Sequence, residues 1–575
     1  MRTGLSYVAG ALAATVLFTH SMVWADPAPV PAKPETTSDD KGGLTWYKAE
    51  SDHFIVYSDQ SRTETERRLK ALEQFRFFAT KLVPATPGDL VEPKLTLYLV
   101  DNSQWLSLID SRDVAGLYIA CREGVSAFSA NQDVSFDKNL KMDPNRPRQD
   151  LGQTVLFHEY THHAMFRSGM SSYPLWYIEG MAEFLSTFTY DGQKGVIGDP
   201  PYADNWVLTQ VNWGQWDHVL APDERLSSGL ATRDGADPVI FYAKAWLLTH
   251  YMMSDPSRAK SLQAYFEQLR KGGDPVKTFA AATGIDPLTE LPKRLRSYSH
   301  ALIQSGYSLP DMPDFKVEVM PMEPTANTYM IAAASLRTCL PPARGEWILK
   351  MLKLDANATE LEAKGTAAKS DGARASWERL KAQAPELAKN EQYRMAVAYG
   401  EVLYGDPKAA LVDLSSFGPN SALYAQAQYQ QGRAWLALAT RASGAERAED
   451  LSRAVGLLEK AYTLSPDDGP TLYFLARAYE GRPDFPNDNA INAALGASDA
   501  MPSVYDYAAY AAWLELLKGD RDYAMNLLRP FGEDPHARDH AKSVTEIISA
   551  ISQGKSAAEV KTMMDALDKN NGAEK

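Results

Sequence analysis

Leu156-Phe157-His158-Glu159-Tyr160-Thr161-His162-His163 is the stretch on which the reading of this chain turns. Histidines four apart share one face of a helix, so both rings can reach a single cation. A glutamate directly after the first histidine then stands beside the coordination position left open. Two histidines alone do not make a zinc site: a third protein ligand is needed, with the fourth position left to water. Downstream stands Trp176-Tyr177-Ile178-Glu179-Gly180-Met181-Ala182-Glu183-Phe184, with sixteen residues between His162 and Glu179. That gap lets one helix end near residues 167–169 and a second return, with Ser168-Gly169 and Pro174 making the turn. His163 is expected as a surface or outer neighbour, because adjacent helical residues point about 100° apart.

Together, His158-Glu159-x-x-His162 and Trp176-x-x-Glu179-Gly180-x-Ala182-Glu183 resemble the gluzincin metallopeptidases. The likeness is greatest to the peptidase-like domains of envelope proteins that carry tetratricopeptide repeats as well. It implies one Zn2+ per chain held by His158, His162 and Glu179, with Glu159 as the general base acting on a zinc-activated water. Glu183 corresponds to the carboxylate that orients a ligand histidine, fixing its tautomer and raising its basicity. The spacing to the third ligand is shorter than in the aminopeptidase branch, and that branch's amine-recognition motif has no obvious counterpart here. An endopeptidase is implied. The family's oxyanion donor is a Tyr or His from a later helix. Tyr242 and His250, which share a helical face with Trp246, are the candidates, the other reading being core aromatics. By position before the zinc helix, residues 124–130 resemble the sheet edge along which such enzymes hold an extended substrate; the alternative is an interior hairpin strand.

Around this centre the pattern is mixed. Residues 53–58 and 94–100 are β-branched and aromatic runs of strand length, and 116–120 and 124–128 suggest two more strands joined around Arg122-Glu123. Between the first two, Leu69, Leu72, Phe75, Ala79 and Leu82 recur at helical spacing over residues 62–82. The expected fold class is α+β: a catalytic domain over 44–308 with a small mixed sheet, a Pro-rich linker at 309–324, and an all-α domain over 325–575. That last region is broken by Gly405-Asp406-Pro407, Ser465-Pro466-Asp467-Asp468 and Gly519-Asp520, and it resembles degenerate tetratricopeptide helix pairs. Such repeats imply docking of a substrate or protein partner.

The first 25 residues, with Arg2, an apolar run over 8–18 and Val23-Trp24-Ala25, read as a signal peptide, and 26–43 as a flexible spacer. Export to a periplasmic or extracellular space is expected, with no membrane span in the mature chain. Lys and Arg number 59 against 73 Asp and Glu, a net charge of −14, and without a basic stripe that balance excludes a phosphate-tracking nucleic-acid binder. Only Cys121 and Cys339 are present, which excludes a disulfide scaffold and a cysteine zinc site; export would allow a bridge between them, or leave two buried thiols. Two other functions fit the same residues. One is a catalytically idle domain serving with the repeats as a protein-binding adaptor. The other is hydrolysis of a non-peptide amide.

Overall fold

The computed structural model describes residues 45–83, 92–100, 116–130, 150–201, 204, 207–209, 213, 216–221, 238–355, 380–534 and 538–574. The expected signal peptide and spacer lie outside these. The fold is mixed α+β. Strands β1 (Tyr47–Glu50), β2 (Phe54–Ser58), β3 (Leu95–Val100), β4 (Gly116–Cys121) and β5 (Gly124–Ala130) join a later strand, Glu318–Pro321, in one sheet. Taken across the sheet, the order is β4-β5-β3-β2-β1 and then Glu318–Pro321. The inner pairs β2–β3 and β3–β5 are parallel, and the outer ones are antiparallel.

Alternation along β3 explains its unbroken apolar run. Leu95, Leu97 and Leu99 enter a core with helix α1 (Arg62–Ala79) and helix α2 (Leu151–Arg167), whereas Tyr98 and Val100 enter a second core on the opposite face. A strand buried on both faces needs no polar side. The α1 stripe of Leu69, Leu72, Phe75 and Ala79 is buried, and the helix stops at Ala79, one turn short of Leu82. Asp150 caps α2 by accepting from the Gln153 N–H, and Arg67 and Arg68 of α1 pair with the same carboxylate. The helix that carries the two histidines is thereby tied to its neighbour at its first turn.

Two features of the chain's organisation differ from the sequence pattern. Part of the segment read as a linker, Glu318–Pro321, is a strand paired with β1. Helices Ala326–Ser335 and Pro342–Leu352, grouped by pattern with the repeats, share the second core with Trp46, Tyr98 and Phe128 of the sheet region. Prolines in 309–324 look like a linker because Pro cannot donate to a ladder, but an outer strand tolerates it.

Beyond residue 390 the chain forms successive packed helix pairs. They are Glu391–Tyr404 with Pro407–Leu414, Tyr424–Ala439 with Gly444–Leu464, Gly469–Ala478 with Asp488–Ala500, Tyr505–Lys518 with Arg521–Gly532, and Arg538–Ser552 with Ala557–Glu574. The breaks seen in the sequence have a local cause. Asp406, Asp468 and Asp520 each accept a backbone N–H as N-cap of the next helix, and Gly519 takes the left-handed conformation at φ +101°. No helix among the described residues is long and apolar enough to cross a membrane.

Cys121, at the end of β4, is bridged to Cys339 across 218 residues. Closing so long a loop stabilises the native state by up to about 5 kcal/mol in the chain-entropy picture. Thiol titration of the denatured, unreduced protein should therefore find no free thiol. Two per chain would show the bridge absent.

Candidate metal centre

Helix α2 ends at Arg167, Gly169 turns the chain at φ +72°, and Pro174 precedes helix α3 (Leu175–Ser186). The return brings Glu179 back over the two histidines. His158 Nε2 and His162 Nε2 lie 3.0 Å apart, and Glu179 Oε2 is 3.5 Å from the first and 3.4 Å from the second. Donors held 2.0–2.1 Å from a tetrahedral zinc would be about 3.3 Å from one another. The three atoms thus already stand at the separations a zinc ion requires, and His₂Glu is a donor set that zinc accepts with one position open. Among the described residues, this is the one group of three or more His, Cys, Asp or Glu side chains so arranged.

Glu183, one turn beyond Glu179, places Oε1 3.2 Å from His158 Nδ1, so the carboxylate holds the ring with Nε2 toward the shared point. Burial would lower the His158 pKa, but the charge of Glu183 and the bond to Glu179 outweigh it and hold it well above the ordinary histidine range. A cation entering here displaces protons, so metal uptake strengthens as pH rises.

Glu159 sits beside these groups, against the sheet. Its carboxylate borders the Tyr118 backbone of β4, and a Cβ built on Gly116 would stand 2.8 Å from its Oε1. Burial, with the charges of Glu179 and Glu183 adding to it against the pull of His158, raises its pKa to about 7. The strand flanking the centre is therefore β4, the outer strand of the sheet. Residues 124–130, read by position as that edge, form β5 and are paired on both sides. The reason is the tight turn at Arg122-Glu123, which folds β4 outward while β5 pairs with β3.

The two oxyanion candidates lie on helix α4 (Pro238–Met253). The Tyr242 ring is centred 6.3 Å from that of His158, so it stands at the centre. His250 does not. It lies eight residues on, about 12 Å along the axis. Its Nδ1 meets the Tyr298 hydroxyl at 2.7 Å and its Nε2 the Gly198 carbonyl at 3.1 Å. Burial pushes its pKa down to about 4, so the ring is neutral and belongs to the core beside Trp246 and Phe184. His163 is buried, not exposed, with Nδ1 3.1 Å from the Tyr118 hydroxyl. Asp204 escaped the sequence reading. Burial and then the charge of Glu183 hold its carboxyl well above the usual range. No spacing rule links it to the histidines, because the chain returns from outside the motif.

Packing explains why Glu179 is followed by a glycine, Gly180. A Cβ there would stand 2.2 Å from Thr249 Oγ1 and 2.5 Å from the Ala245 carbonyl oxygen, so α3 and α4 cross with backbones in contact. Gly180→Ala should separate the two helices, destabilise the fold by about 3 kcal/mol, and weaken metal binding through the displaced Glu179. Denaturant unfolding and zinc titration would read both. Unchanged values would mean that α3 and α4 do not cross in backbone contact.

Comparison with known proteins returns no matching family model, no matching curated protein and no matching solved structure. The functional reading therefore rests on this geometry.

Proposed function

We propose that the chain is a zinc-dependent peptidase of the gluzincin type, acting as an endopeptidase after export. The observation that carries the reading is the meeting of His158 Nε2, His162 Nε2 and Glu179 Oε2 within 3.5 Å, with Glu159 adjacent and Glu183 behind His158. When bound, zinc supplies Lewis-acid activation of a water and of the scissile carbonyl. The chain's residues do the rest. Glu159 takes the proton from the attacking water and delivers it to the departing amine, a role that suits a carboxyl raised toward neutrality. Tyr242 donates a hydrogen bond from its hydroxyl to the developing oxyanion. Glu183 keeps the His158 ring in the tautomer that presents Nε2. The helix pairs after residue 390 are read as tetratricopeptide-like.

The test is hydrolysis of an unstructured polypeptide by the zinc-loaded full chain. Cleavage should stop on chelation and return with added zinc. Zinc-loaded protein that cleaves no unfolded chain or peptide library would reject the peptidase reading and leave the adaptor.

A further inference from the structure

The tip of the β4–β5 hairpin is buried in the helix pairs. Glu123, at the turn, has a side chain 2% exposed, and it accepts from Arg433 at 2.6 and 2.8 Å in a two-pronged pair. The Tyr399 hydroxyl donates to the same carboxylate. Arg433 is itself 5% exposed, with its guanidinium 4.2 Å over the Phe474 ring. The Tyr507 hydroxyl donates to the Arg122 carbonyl at 3.0 Å, and the Tyr118 hydroxyl shares a 3.0 Å hydrogen bond with Ser503. Tyr399, Arg433, Phe474 and Tyr507 come from the first helices of four successive pairs. These first helices form the face that a stack of pairs would offer to a partner.

We infer that the helix pairs take the chain's own β4–β5 hairpin as their ligand, with Arg433 as the carboxylate-reading anchor, and that this clamp positions the strand on which Glu159 rests. The groove expected to dock a separate protein is filled in cis at these positions by the hairpin tip, whose Glu123 carboxylate meets Arg433. A buried bidentate arginine–carboxylate pair fixes orientation as well as distance. Only three residues, Ile119, Ala120 and Cys121, separate Tyr118 from the hairpin turn, too few for the strand to absorb movement at its tip. Since Gly116 of β4 bounds the Glu159 carboxylate, Arg433 acts on the chemistry through β4. Arg433 is a positioning residue, in a role that rests on the peptidase reading; the clamp itself does not.

Arg433→Met in the zinc-loaded full chain separates the two. Amide exchange over residues 117–127 should quicken by at least about 10-fold, while exchange over 154–164 and zinc content stay as in the wild type. With the peptide substrate, kcat should fall by about 10-fold or more at unchanged KM. If Arg433→Met does not fold, Glu123→Gln keeps the shape of the tip and should show the same pattern at smaller amplitude. Unchanged exchange at 117–127 would overturn the clamp. Faster exchange with unchanged kcat would overturn the positioning role. A wild type that turns nothing over would reject the peptidase reading, and the exchange result would still decide the clamp.

Discussion

Replacing Glu159 by Gln should leave one zinc bound per chain and lower turnover by at least about 100-fold. The two halves of this result have separate origins. Glu159 is not among the three converging donors, so metal content should not depend on it. Gln fills the same volume beside Gly116 and keeps an amide oxygen as acceptor, so the strand beside it need not move. What it cannot do is hold the water's proton. A loss confined to kcat, with zinc stoichiometry unchanged, is the signature of a missing general base. Loss of zinc together with activity would instead make Glu159 a ligand.

Ala at His158, His162 or Glu179 should act on the metal itself. Each leaves two protein donors where zinc takes three, and affinity should fall by more than about 100-fold, beyond the 10–100-fold typical when an outer partner such as Glu183 is lost. Glu183→Gln belongs to that milder class because its carboxylate touches His158 Nδ1 and not the point where the three donors meet. Competition against a chromophoric chelator would rank the variants. Equal losses for Glu183→Gln and His162→Ala would put Glu183 among the ligands.

The centre was legible because its parts are local. His158 and His162 are one helical turn apart, and so are Glu179 and Glu183, so helical spacing alone sets each pair side by side. Gly169 and Pro174 mark the return that joins them. What the sequence hid depends on long-range pairing. Whether β4 or β5 is outermost follows from β5 pairing with β3, a contact about thirty residues away in sequence that no periodicity records. Glu318–Pro321 joins β1 from about 270 residues downstream. His250 shares a helical face with Tyr242 in projection, but the rise along the axis separates them, and Tyr298 and Gly198 occupy its nitrogens. The acid Glu123 read as an ordinary turn residue. Its arginine lies 310 positions later, and neither residue shows by itself that the other buries it.

Native mass spectrometry of the full chain, after exposure to zinc and removal of the excess, is the most direct measurement. One zinc ion per chain in the wild type, and none in His162→Ala, is the expected result. A wild type that retains no zinc, or a His162→Ala variant that retains as much as the wild type, would contradict the assignment of His158, His162 and Glu179 as a metal centre.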